Sequence, residues 1–64
     1  MARMSKLQRS QRAHRRLRDK YSQKVGKVAR DKVFYHNYCL DRQNRIDRVL
    51  TQNERKSIWN SFVN

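Results

Sequence analysis

The sequence predicts an all-α protein, and three observations carry that reading. Proline is absent and Gly26 is the only glycine, so the punctuation that strands and hairpins need at regular intervals is missing. Arg, Lys, Gln, Leu and Ala, all good helix formers, fill much of the chain. Apolar residues recur at helical spacing in three places. The expected architecture is a long basic amphipathic N-terminal helix followed by two short helices that form a small clip.

The first helix is expected to start near Ser5 and run through Gly26 toward Val33. Leu17, Tyr21, Val25 and Val28 fall at steps of four, four and three, one stripe on a 3.6-residue helix. Arg9, Arg12, Arg16, Lys20, Lys27 and Arg30 lie on the opposite side, and Lys24 flanks the stripe with its stem packed and its ammonium wet. Gly26 costs about 1 kcal/mol relative to Ala in a helix. Val28 and Ala29 keep the stripe in register across it, so the helix is expected to continue. Before Ala13 there is almost nothing to bury. Residues 1–12 are therefore read as a basic flexible arm, frayed until a partner neutralises it, and residues 13–64 as one small helical domain.

Tyr35, His36, Asn37 and Tyr38 are poor helix formers together, which places a turn near Asn37 and a second helix from Tyr38 to Leu50. Cys39, Ile46, Val49 and Leu50 would share its face, and Asp41 would pair with Arg45 at i,i+4 near the helix start. The next boundary is sharper: Thr51-Gln52-Asn53-Glu54 is a capping box, opening a final helix from Gln52 to about Val63. Ile58, Trp59, Phe62 and Val63 form its packing face. Trp59 and Phe62 are expected to anchor the core against Ile46, Val49, Leu50 and the Tyr21–Val28 stripe.

Charge decides the class of function. Seventeen Lys and Arg stand against five Asp and Glu, a net charge of +12 on 64 residues. Residues 1–32 hold twelve bases and two acids, net +10; residues 33–64 hold five and three, net +2. The first half supplies charge and the second supplies bulk. An excess of this size attracts a polyanion, and nucleic acid is the usual one. With 36% hydrophobic and 34% charged residues the chain has one modest core and no room for a deep catalytic cleft. A single cysteine, Cys39, excludes an internal disulfide and fits a reducing compartment, cytoplasmic or nuclear. No apolar run could span a membrane or serve a secretory signal. The first eighteen residues, Arg-rich and free of acids, also look like a mitochondrial targeting segment.

The segment from Ser10 to Lys20 is the strongest candidate site. Guanidinium forks donate paired hydrogen bonds to phosphate, and released counterions supply affinity. Arg9, Arg12, Arg15, Arg16, Arg18, Lys20, Lys24, Lys27 and Arg30 are the expected contacts. In composition the segment resembles the arginine-rich RNA-binding helices of phage antiterminators and some viral regulators, over residues 10–20. RNA or a ribonucleoprotein surface is favoured over DNA, because one unsupported basic helix fits an irregular RNA groove and folds on binding. A structural subunit of a large RNA particle would use the same chemistry. The rival from another class is a small accessory or inhibitor protein, virus-encoded in one version, that docks on an acidic groove such as a polymerase's. Trp59 and Phe62 would be its anchors.

Other constellations are weaker. Phe34, Tyr35 and Tyr38 invite base stacking, but covering the corner between helices is the plainer role. His36 and Cys39 have ligand spacing, yet a structural zinc needs four ligands and His14 is remote in sequence, so neither metal nor cofactor is expected. Asp41 and Asp47 make no carboxylate pair, and a histidine three residues from Cys39 is no triad; no enzyme is expected. A helix-turn-helix ending in the last helix would have only Arg55 and Lys56 for phosphate and lacks the usual turn glycine.

Overall fold

The computed structural model describes residues 4–63, and among them the chain forms three helices and no strand: α1 (Lys6–Ser22), α2 (Lys27–Ile46) and α3 (Gln52–Val63). The all-helical class is as the sequence predicts. So is the number of helices; the bounds of the first two are not.

Helix α1 starts where a reciprocal cap fixes it. The Ser5 hydroxyl accepts from the Gln8 amide at 3.1 Å, and the Gln8 side chain accepts from the Ser5 amide at 3.0 Å. Residues 6–12, expected to fray, are thus helical in the described structure; residues 1–3 of the expected arm lie outside the described residues. The expected passage through Gly26 does not occur. Helix α1 ends at Ser22, and Gly26 takes φ 125° and ψ 164°, a conformation open to glycine almost alone. Of the two residues that kept the register, Ala29 is buried but Val28 is mostly exposed, and Val25 of the expected stripe is fully exposed.

Helix α2 runs straight through the expected turn at Asn37 and ends before Leu50. The low helix propensity of the Tyr35–Tyr38 stretch is overridden because its side chains find partners across the bundle. His36 meets His14, and Asn37 accepts from Arg18 at 3.2 Å. Asp47 ends the helix in the left-handed conformation, φ 56°, which an Asp side chain tolerates. The Asp41–Arg45 pair forms as expected at 3.2 Å, but near the end of its helix instead of the start. Helix α3 and its Thr51–Glu54 box match the sequence reading. Arg48 then forks onto both oxygens of Glu54, at 2.8 and 3.1 Å, holding the loop to the helix it precedes.

Helices α1 and α2 form an antiparallel hairpin, with Ser10 against Gln43, His14 against His36 and Tyr21 against Lys32. Its seam repeats in steps of three and four: Leu7, Ser10, His14, Leu17 and Tyr21 face Ala29, Lys32, His36, Cys39, Gln43 and Ile46. None of these is exposed, and nearly half are polar. The fully buried Gln43 is the hub. Its Oε1 accepts from Ser10 Oγ (3.0 Å) and from the Leu50 amide (3.1 Å), while its Nε2 donates to Gln11 (3.1 Å). Ser10 Oγ accepts in turn from the Arg55 guanidinium at 3.2 Å. One polar chain therefore joins α1, α2, α3 and the loop. Apolar burial is small by comparison, with Ala29, Cys39 and Leu50 as the buried hydrophobic residues.

Candidate nucleic-acid interface

With Leu7, His14 and Tyr21 turned toward α2, the 100° step of a helix puts Arg9, Arg12, Arg16 and Lys20 on the far side of α1. All four are exposed, and none takes part in an ion pair among the described residues. Arg12, Arg16 and Lys20 follow one another at i,i+4, a rise of about 6 Å each. The Arg12 guanidinium touches Met4 sulfur at 3.7 Å and otherwise faces solvent. Like charges repel along this ridge, and what holds them together is the seam on the other face.

The remaining expected contacts divide. Arg15 is exposed on a flank of α1 and also makes no ion pair among the described residues. Arg18 is committed elsewhere: it reaches across to Asn37 and also contacts Asp19, at 3.3 Å. Lys24 lies in the link between α1 and α2, with its ammonium 5.8 Å from the Tyr21 ring centre. Lys27 and Arg30 belong to α2, because the helix breaks at Gly26, and Lys27 pairs with Asp31 at 3.2 Å. The ridge is thus shorter than a continuous helix would give.

A second feature was not visible in the sequence. Between the three helices lies an open cleft of about 540 Å³, walled by Leu17, Tyr21, Tyr35 and Trp59 and rimmed by Lys32, Arg55 and Lys56. Trp59 is a wall of this cleft, half-buried with its ring edge-on to Tyr35 at 5.5 Å; it is not the enclosed core anchor expected of it. Phe62 is likewise half-buried, edge-on to Tyr38 at 6.1 Å. Phe34 and Tyr38 are exposed on α2, where there is no corner to cover. The cleft brings together residues of three helices, so no local spacing could have announced it.

The charges around the cleft are biased one way. Lys32 donates to the Tyr21 hydroxyl at 3.1 Å, and that hydrogen bond together with the Lys32 charge lowers the phenol's pKa. Lys20, Lys24 and Lys32 all sit within 6 Å of the Tyr21 ring centre. Arg55 extends inward along the cleft's wall, and its Nε is buried without a hydrogen-bond partner. Its guanidinium is held by Ser10 Oγ beside the cleft, leaving a helix-turn-helix reading with Lys56 alone in the first turns of α3.

Histidine and cysteine have interior positions. His14, distant from His36 in sequence, meets it with Nδ1 to Nδ1 at 2.8 Å. Burial, then the neighbouring His36 and Arg55, hold His14 down to about 4. Cys39 is fully buried and burial raises its thiol's pKa, which keeps it protonated and unreactive at neutral pH. Among the described residues no three His, Cys, Asp or Glu side chains converge, and no helix is long and apolar enough to cross a membrane. Comparison with known proteins returns no matching family model, no matching curated protein and no matching solved structure.

Proposed function

We propose that this protein binds nucleic acid, RNA in preference to DNA, through the outward face of α1. The observation that carries the reading is the ridge of Arg9, Arg12, Arg16 and Lys20, exposed and without acidic partners among the described residues. From Arg9 to Lys20 the ridge covers about 16 Å, a length over which a duplex presents roughly ten phosphates at one per 1.7 Å. Lys20 and Lys24 extend it toward Tyr21. The earlier ground for RNA, a basic helix without support, does not suit a helix backed along its length by α2. An aromatic cleft beside the ridge favours RNA on different grounds, because RNA offers unpaired bases that stack on such walls.

The test is salt dependence. Affinity for a structured RNA should fall with log salt by about 0.7–0.9 per phosphate neutralised. Replacing Arg12 and Arg16 together by Ala should weaken binding and flatten that slope by roughly two. An unchanged slope would remove the ridge from the interface.

The rival reading, docking on an acidic protein groove, is favoured by the open faces of Trp59 and Phe62, since aromatic anchors dominate protein interfaces. Purification of the tagged protein with and without nuclease separates the two. A protein partner retained after digestion supports the rival.

A further inference from the structure

We infer that the cleft between α1, α2 and α3 is a stacking site for one unpaired base of the bound RNA, with the adjoining phosphate held by Lys32, Arg55 and Lys56. The inference rests on the proposed RNA binding and names the part of the strand this site takes.

Three features of the cleft point to that ligand. Its walls carry three aromatic rings: Tyr21 on α1, Tyr35 on α2 and Trp59 on α3, the last two edge to face at 5.5 Å. Unpaired bases stack on such rings whatever their sequence. Its rim is cationic, with two lysines and one arginine and no carboxylate among the lining residues, so the charge selects a base that carries phosphate over a neutral aromatic. Its volume, about 540 Å³, lies inside the roughly 300–1,000 Å³ of small-ligand sites.

Continuity with the ridge fixes the source as a strand. Lys20 closes the row of Arg12 and Arg16 and also lies 5.9 Å from the ring centre of Tyr21, which lines the cleft. A backbone tracking the ridge therefore arrives at Tyr21 with its next nucleotide free to turn inward. A paired duplex has no base to offer there. A hairpin with one bulged nucleotide does.

Trp59 is the only tryptophan, so emission excited selectively from tryptophan reports this wall alone. Three RNAs serve as probes: a hairpin with one bulged adenosine, the same hairpin with an abasic bulge, and the fully paired hairpin. The expected result is quenching of Trp59 by the bulged adenosine only, with affinity lower by roughly 5- to 150-fold for the other two. Lys32→Gln should remove part of that discrimination. Equal affinity for all three with unchanged emission overturns the stacking site and leaves RNA binding standing. If none of the three binds, the proposed function falls as well. Free adenosine 5′-monophosphate is the control on the source. If it binds as tightly as the bulged hairpin, the site takes a soluble nucleotide and the strand assignment is overturned.

Discussion

His14 and His36, twenty-two residues apart in sequence, meet Nδ1 to Nδ1 at 2.8 Å in the middle of the α1–α2 seam. At that distance one ring donates its Nδ1 proton and the other accepts it, so the pair needs one protonated and one bare nitrogen. Tyr21, Tyr35 and Lys32 surround the pair from the two helices of the hairpin, and the charge of Arg55 reaches His14 from α3. No carboxylate is among these neighbours to stabilise a second proton.

Stability should therefore fall with acid well before the carboxylates titrate. Burial holds His14 down to about 4 and lowers His36 as well, while both return to about 6.5 in the unfolded chain. Between those values the unfolded state takes up protons that the folded state refuses, so the stability present above pH 6.5 is lost as pH drops toward 4. The loss is on the order of 1–3 kcal/mol after allowance for solvent screening. Urea midpoints at pH 7.5 and pH 5 measure it, a window that excludes Glu54, which titrates near 2. Equal midpoints would show that the pair is solvated.

Gly26→Ala decides the sign of a different effect. In a continuous helix this change would stabilise by about 1 kcal/mol. At φ 125° it should instead destabilise by about 1–3 kcal/mol, since the strain comes from the backbone and not from crowding; no atom lies within 4 Å of the added Cβ. Thermal melting gives the sign directly.

Gln43→Leu keeps the volume and removes the hub. The Leu50 amide and the Gln11 and Ser10 side chains lose their shared partner, and orphaning the buried amide alone costs about 1–3 kcal/mol. A loss of about 2–4 kcal/mol is expected from denaturant titration, a large share of what a domain of this size possesses. A neutral Gln43→Leu would mean that water replaces these bonds.

Arg16 and Arg18 are near neighbours in sequence with different work. Arg16→Ala should flatten the salt slope of RNA binding by about one and leave melting unchanged, since the side chain is exposed without an ion pair among the described residues. Arg18→Ala should lower the melting temperature by a few degrees and leave the slope nearly as it was, because its guanidinium is held by Asn37 and Asp19. Similar slopes for the two variants would place both guanidinium groups on the RNA, or neither.

Helical class, charge asymmetry and the Thr51–Glu54 start of α3 were legible in the sequence, because composition and local hydrogen bonding settle them within a few residues. The arginine ridge was also legible, since a helix's outward face follows from its period alone. What misled was the assumption that the packing stripe would be apolar. Leu17, Tyr21, Val25 and Val28 spelled a helix face, yet the seam turns on His14, His36 and Gln43, and the two valines face water. A buried polar residue is recognisable only when its partner is known, and these partners stand 22 to 33 residues away. The break at Gly26, the course of α2 through Asn37 and the cleft at Trp59 all depend on those distant pairings. Sequence period fixes which face of a helix turns outward; what the inward face meets is decided by contacts between helices, and here nearly half of the residues in contact are polar.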